Sequence, residues 1–282
     1  MNIMIEIKNL SFGYKKSSSV YENFSLTIGA GEVFGLLGKN GTGKTTLLYL
    51  LTGLLHPQSG KVLFGGVDVH ERRPATLGDM FIVPEEFDLP NISLKEYVKI
   101  TAPFYPEFSY EQLKNCLEVF EMPADIKFGE LSMGQKKKAF ICFALATNTR
   151  LLVMDEPGNG LDIPSKSQFR KAIAMGMSDE KSVIISTHQV RDIDSLLDHL
   201  IIIDDKRVLL DASTTEITRR LYFGEGEARE SDEIIYRQPS ISGNSLLCTN
   251  GTGEESNLNI ELLFNATLAE REKIAAIFNP KK

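Results

Sequence analysis

The stretch Gly38-Lys39-Asn40-Gly41-Thr42-Gly43-Lys44-Thr45 restricts this chain more than any other part of it. It fits the pattern G-x-x-x-x-G-K-[ST], with the apolar run Val33 to Leu37 before it and the helix-forming run Thr46 to Leu55 after it. Strand, glycine loop and helix, in that order, make this pattern a phosphate cradle. The glycines let the backbone curl until its N–H groups converge on one anion, and the helix N-terminus adds partial positive charge. Lys44 then reaches the β- and γ-phosphates, and the Thr45 hydroxyl is a ligand for Mg²⁺. A glycine turn ending by accident in Gly-Lys-Thr is the competing account, and the placement of strand and helix speaks against it.

Composition narrows the remaining classes. At 282 residues the chain suits one large domain, or a core with small additions. Its 42% hydrophobic and 24% charged content is that of a globular protein able to bury a core. The net charge of −7 does not suggest a nucleic-acid binder. Cys116, Cys142 and Cys248 form no C-x-x-C pair, which fits a reducing compartment and argues against disulfides or a zinc module. Met1 to Leu10 lacks the apolar centre of a signal peptide, and no apolar run approaches the ~18 residues of a membrane span. The expectation is a cytoplasmic protein whose membrane role, if any, comes through a partner.

Along the chain, Met4 to Phe12 and Phe24 to Ile28 alternate as half-buried strands do, and Lys61 to Phe64 and Met80 to Val83 read as further short strands. From about residue 87 to 150 the pattern turns helical. Ser93 with Glu96, and Ser109 with Gln112, read as capping boxes. Strands then return at Leu151 to Met154, Val183 to Ser186, Leu200 to Ile203 and Arg207 to Leu210. Three of them are near-continuous apolar runs, as in parallel strands covered on both faces. Ser213 and Glu216 cap another helix. The acidic run Gly224 to Glu233 reads as a linker, followed by two or three strands and a helix capped by Thr267 and Glu270.

The apolar strand Leu151-Leu152-Val153-Met154 runs into Asp155-Glu156-Pro157, placing two carboxylates at the sheet edge where open α/β sheets bind ligands. Asp155 suits Mg²⁺ held through water. Glu156 suits a general base that polarises water attacking the γ-phosphate, a role worth about 10²–10⁴ in rate. Taken alone, a strand ending in an acidic turn is common; beside a phosphate loop it gains meaning.

Leu131-Ser132-Met133-Gly134-Gln135 makes the resemblance specific, because it is similar to the L-S-G-G-Q signature of the ATP-binding subunits of ABC transporters. Ser132-x-x-Gln135 is also a capping box opening a helix, and the readings are compatible, since such a tip binds phosphate. The resemblance implies that Ser132, Met133, Gly134 and Gln135 meet ATP held by another subunit, with Met133 standing where the family has glycine. It implies that Tyr14 stacks on adenine, an interaction of about 1–3 kcal/mol per base, although a surface tyrosine at a strand end is the plainer account of that residue alone. Asn159-Gly160-Leu161-Asp162 resembles the loop that crosses to the partner, and His188 in Ser186-Thr187-His188-Gln189 the switch histidine that contacts the γ-phosphate. His56, His70 and His199 lack such a context and read as structural or solvated. Glu85 stands where the family carries glutamine. It can approach Mg²⁺ but adds negative charge, so ATPase kinetics or Mg²⁺ dependence should differ in Glu85→Gln. Lys136-Lys137-Lys138 reads as a solvated helix face.

The resemblance covers residues 4–221 and implies an α/β P-loop NTPase cassette. Its parts would be a RecA-like core, an N-terminal antiparallel β subdomain, a helical subdomain inserted at about 87–150, and a small α+β C-terminal extension. The division expected is 1–222 for the cassette and 223–282 for an extension of no evident role. The catalytic set would be Glu156, His188 and Lys44; the nucleotide-binding set Tyr14 and residues Gly38, Lys39, Asn40, Gly41, Thr42, Gly43, Lys44, Thr45 and Thr46; the metal set Thr45, Asp155 and Glu85; and the set facing the other subunit's ATP would add Asp162 to the signature residues. Expected companions are ATP, Mg²⁺, a second copy or paralogous ATPase subunit, and an integral membrane permease at the inner face of the cell membrane. Phe87, Tyr97, Phe104 and Tyr105 are candidate permease contacts or subdomain core. Export is the expected direction. An importer subunit and a soluble ABC-type ATPase in nucleic-acid or assembly work are the alternatives, and a sensor without turnover is a third.

Overall fold

The computed structural model describes residues 3–15, 18–190, 193–226, 233–240, 243–251, 253 and 255–278. The described strands form three sheets. The first is antiparallel, in the order β2-β1-β4-β5, built from β1 (Ile3–Phe12), β2 (Tyr21–Gly29), β4 (Ser59–Phe64) and β5 (Val67–Asp68). One face of β1 and β2, with Ile5, Ile7, Leu10, Phe24, Leu26 and Ile28, is buried while the intervening residues face water, the alternation expected of a half-covered sheet.

The second sheet has the order β10-β9-β3-β8-β7-β6 and comprises β3 (Val33–Leu37), β6 (Met80–Val83), β7 (Leu151–Asp155), β8 (Ser182–Thr187), β9 (His199–Asp204) and β10 (Arg207–Ser213). Every pair in it is parallel except β9 with β10. β3, β7 and β8 are buried at every position, which explains their unbroken apolar sequence. The C-terminal ends of β3, β7 and β8 lie side by side, with Leu37 paired to Thr187 and Asp155 to Ser186. That shared edge gathers the chemistry-bearing residues.

Helix α1 (Lys44–Leu51) follows β3, and the short α2 (Pro74–Gly78) precedes β6. Between β6 and β7 the chain forms α3 (Leu94–Thr101), α4 (Tyr110–Val119) and α5 (Met133–Ala146). Ser93 closes the expected capping box with Glu96, whereas the box expected of Ser109 and Gln112 is corrected to a one-way cap of α4, the Ser109 hydroxyl accepting from the Gln112 N–H. Phe87 and Tyr97 contribute rings to an aromatic cluster with Phe128, Phe140 and Phe143, so of the four aromatics named above these two serve the subdomain core. Tyr105 also packs against that core, its ring edge-on to Phe81 and Phe143, while Phe104 is 71% exposed. Helix α6 (Ile163–Met175) links β7 to β8, and α7 (Thr214–Arg220) follows β10.

The C-terminal residues form a third, antiparallel sheet in the order β11-β13-β12, from β11 (Leu221–Glu225), β12 (Ile234–Ser240) and β13 (Gly243–Thr249), backed by α8 (Ile260–Ala269) and α9 (Arg271–Phe278). Gly224 and Glu225, read from sequence as the start of a linker, belong to β11; residues 227–232 of that run lie outside the described residues. The helix expected after a Thr267 cap is corrected. Thr267 lies inside α8, its hydroxyl donating to the Leu263 carbonyl, and the cap of α8 is Asn259, whose side chain accepts from the Leu262 N–H. Leu247, Leu263, Ala266 and Ile274 join one continuous buried cluster with Leu210, Ala212, Ile217 and Leu221.

Candidate active site

The phosphate loop is shaped by close approaches that only glycine permits. At Gly43 φ is +99°, and an added Cβ would come within 2.7 Å of Val20 Cγ1 and 3.0 Å of the Tyr21 hydroxyl. That hydroxyl donates to the Gly43 carbonyl at 2.9 Å, so the floor of the loop is bolted to β2. Lys44 Nζ donates to the carbonyls of Gly38 (2.8 Å) and Lys39 (3.3 Å) and so curls over the loop. Burial lowers its pKa, and the charges of Glu156, Asp155 and Glu85 oppose that shift. No side chain caps the N-terminus of α1, which leaves its first N–H groups for an anion.

The carboxylates arrive from β7. Asp155 is buried, its Oδ2 accepting from the Thr45 hydroxyl at 2.6 Å and its Oδ1 from the Ser186 hydroxyl. Glu156 has φ +45°, a left-handed conformation held by hydrogen bonds from its N–H to the carbonyl (3.1 Å) and hydroxyl (3.2 Å) of Ser186. Glu156 Oε1 is 2.7 Å from His188 Nδ1, and Oε2 accepts from the His188 N–H at 3.4 Å. Glu85 Oε1 accepts from Asn159 Nδ2 at 2.9 Å, and Asn159 Oδ1 from Gln189 Nε2 at 3.3 Å.

These groups line a cleft of about 540 Å³ that includes Tyr14, Val20, Asn40, Gly41, Gly43, Lys44, Thr45, Thr46, Glu85, Asp155, Glu156 and His188. Its metal-facing donors are a hydroxyl and carboxylates, a hard all-oxygen set that fits Mg²⁺ completing its shell with phosphate and water. Among the described residues no cluster of three or more His, Cys, Asp or Glu would hold a metal unaided. Tyr14 is exposed, its ring edge against Phe12 and its hydroxyl 3.1 Å from Thr46 Oγ1.

The signature residues lie outside this cleft, at a second locus. Ser132 is exposed at the N-terminus of α5, its side chain accepting from the Gln135 N–H at 3.3 Å while Gln135 Oε1 accepts from the Ser132 N–H at 3.0 Å. Asp162 caps α6 through the Ser165 N–H at 2.9 Å, and the Ser165 bonds hold its carboxyl below its ordinary pKa. The two tips touch: a Cβ on Gly134 would sit 3.1 Å from the Gly160 carbonyl. Met133 is 61% exposed and Ile163 85% exposed beside them.

The reading of Lys136-Lys137-Lys138 as a solvated face is corrected at its middle residue. Lys137 is 6% exposed, and its Nζ donates to the carbonyls of Asn159 (2.9 Å) and Glu156 (3.2 Å). The signal was the spacing, since Lys137, Ile141 and Ala144 recur at i, i+4 and i+7 and so share the buried stripe of α5. Tyr21 is a further residue of the site that no motif marks, and Ser186, Asn159 and Gln189, which the motifs contain, have contacts within the site that the motifs do not specify. No short pattern encodes these contacts, because the partners come from distant segments. His199 is buried with Nε2 2.7 Å from Asp211 Oδ1, and the His56 and His70 rings meet edge to face at 4.3 Å, all three away from the cleft.

A family model described as ABC transporter matches residues 21–159. The chain is 30% identical over 204 residues to the ABC transporter ATP-binding protein YtrB of Bacillus subtilis (72% of this chain, 69% of that one). It is 30% identical over 244 residues to the Nod factor export ATP-binding protein I of Burkholderia lata (81% and 80%). The methionine import ATP-binding protein MetN of Carboxydothermus hydrogenoformans is 32% identical over 231 residues (76% and 67%). Among solved structures, an ATP binding subunit of an ABC transporter superposes with a TM-score of 0.67 at 23% identity, covering 77% of this chain and 92% of that one, which speaks to the fold.

Proposed function

The chain belongs to the ABC transporter family as an ATP-binding protein and is an ATPase, and on that premise we propose that it works as a head-to-tail dimer that closes over ATP and drives export through a separate membrane-spanning partner. The observation that carries the dimer is the exposed tip of α5. Ser132 is turned to solvent at the N-terminus of α5, outside the cleft that holds Lys44, a placement that supports contact with a second subunit's ATP, with Asp162 exposed beside it.

Within one subunit the residues divide the work as their contacts suggest. Backbone N–H groups of the phosphate loop and Lys44 hold the β- and γ-phosphates, with Tyr14 against the base. Thr45 and Asp155 would hold Mg²⁺, with Glu85 nearby, and the ion would neutralise charge on the phosphate oxygens. Glu156 takes a proton from the attacking water, and His188 keeps the carboxylate aimed while presenting its ring to the γ-phosphate. ATP binding then closes the dimer and hydrolysis opens it, which is the stroke delivered to the partner.

Among the described residues no helix is long and apolar enough to cross a membrane. In this proposal the partner supplies the membrane-spanning part and this subunit is peripheral at its cytoplasmic face. The net charge of −7 supports a protein partner over nucleic acid. Export rests on the similarity to the Nod factor export protein; import is the second reading, favoured by the similarity to MetN. The test is Glu156→Gln, which should bind Mg-ATP, release no phosphate and run as a dimer in size-exclusion chromatography. A monomer at saturating Mg-ATP overturns the dimer. Purification in mild detergent should bring down an integral membrane protein, and transport of labelled solute by inside-out vesicles carrying the pair fixes direction.

A further inference from the structure

We propose that Lys137 and Asn159 form a positioning bridge through which helix α5 sets the geometry of Glu156 and Glu85. The proposal rests on the reading above that a partner's ATP presses on the Ser132 tip. Lys137 stands five residues into the helix from that tip, about 7.5 Å along its axis. Its first turn is hydrogen-bonded, Lys136 N–H to the Ser132 carbonyl at 2.8 Å, so tip and ammonium move as one body.

The other end of the lever is equally defined. The Lys137 ammonium grips the Glu156 carbonyl and the Asn159 carbonyl together, and the Asn159 N–H donates to the same Glu156 carbonyl at 3.1 Å. Glu156 holds its left-handed conformation inside that grip. The Asn159 side chain then carries the connection outward, donating to Glu85 and accepting from Gln189, the residue after His188. One ammonium and one carboxamide therefore tie the signature helix to the three segments that carry Glu156, Glu85 and His188.

A merely structural role accounts poorly for this lysine. Burial lowers its pKa, so its charge is carried at a cost, and an apolar side chain of similar length would fill the space without that cost. What the ammonium adds is a charged grip on two carbonyls beside the carboxylates of Glu85, Glu156 and Asp155.

The experiment uses the full chain with Lys137→Met, Lys137→Arg, Asn159→Ala, Glu85→Gln and the Asn159→Ala/Glu85→Gln pair. Phosphate release gives kcat and KM; a fluorescent ATP analogue gives Kd; thermal unfolding gives Tm. Lys137→Met should lose at least about tenfold in kcat with Kd within about threefold, the signature of misplacement rather than lost binding. Its Tm should hold or rise, and Lys137→Arg should recover part of the rate. The double variant should fall short of the product of the two single effects, because Glu85→Gln weakens, by removing the charge, the same contact that Asn159→Ala removes. Wild-type kcat in Lys137→Met, or kcat, Kd and Tm falling together, overturns the bridge. ATP-driven association of the same variants separates the two ideas: a wild type that never associates sinks the dimer, whereas association kept while kcat is lost supports the bridge.

Discussion

His188 Nδ1 lies 2.7 Å from Glu156 Oε1, and the His188 N–H approaches the other oxygen of the same carboxylate at 3.4 Å. Both Glu156 oxygens are therefore engaged by one residue, which fixes the plane of the carboxylate proposed as general base. Removing the ring should free the carboxylate to rotate. His188→Ala is expected to lower kcat roughly 10²-fold with little change in the Kd for ATP, measured by phosphate release and by equilibrium binding.

The Tyr21 hydroxyl is a second fixed point, since it is the bolt between β2 and the phosphate loop. Burial raises its pKa, so it remains a donor throughout the working pH range. Tyr21→Phe leaves the Gly43 carbonyl without that donor and should cost about 1 kcal/mol in stability, with ATP bound a few-fold more weakly. Gly43→Ala should abolish nucleotide binding, because its Cβ would collide with Val20 and with that hydroxyl.

Lys181 gives the chain a pH signature. It is 3% exposed, and burial pushes its pKa down to about 8 from the ordinary 10.5, with Cys116 acting weakly in the opposite sense. Between these values the unfolded chain binds more protons than the folded one, so stability contributed by this group rises with pH across that window. Below pH 8 the whole penalty is present, up to about 3 kcal/mol. Lys181→Met should therefore raise Tm at pH 7, and the gap to wild type should close as pH passes 10.5. A gap that stays constant with pH contradicts the assignment.

The C-terminal helices are predicted to be inseparable from the rest in unfolding. Leu263 is fully buried in the cluster that also contains Leu210 and Ile217. Arg271 pairs with Asp204 at the β9–β10 turn, and Arg220 of α7 donates to the Ile277 carbonyl. Leu263→Ala should cost about 2–5 kcal/mol and shift one single thermal transition. Truncation before β12 should expose the same cluster and yield aggregated protein. Two separate transitions in calorimetry would show an independent module instead.

Legibility in the sequence followed the distance over which each residue acts. The phosphate loop, the acidic end of β7 and the cap at Ser132 are short patterns whose physics is local, and they could be placed before any coordinates. Lys137 was obscured because its two flanking lysines imitate a solvated run, while the burial that defines it is decided by β7 and the loop beyond. Asn159 and Tyr21 act across 74 and 22 residues, through Glu85 and Gly43, and no spacing encodes such contacts. Thr267 was misplaced for the opposite reason. Its local pattern with Glu270 was a good cap, and the packing of α8 against β12 and β13 overrode it.

Glu156 occupies a backbone region that costs an L-residue about 1–3 kcal/mol and that glycine or asparagine enters more freely. A population of variants screened for heat resistance alone would drift toward those residues at this position and fall silent as ATPases. In this protein robustness and turnover compete for the same peptide unit.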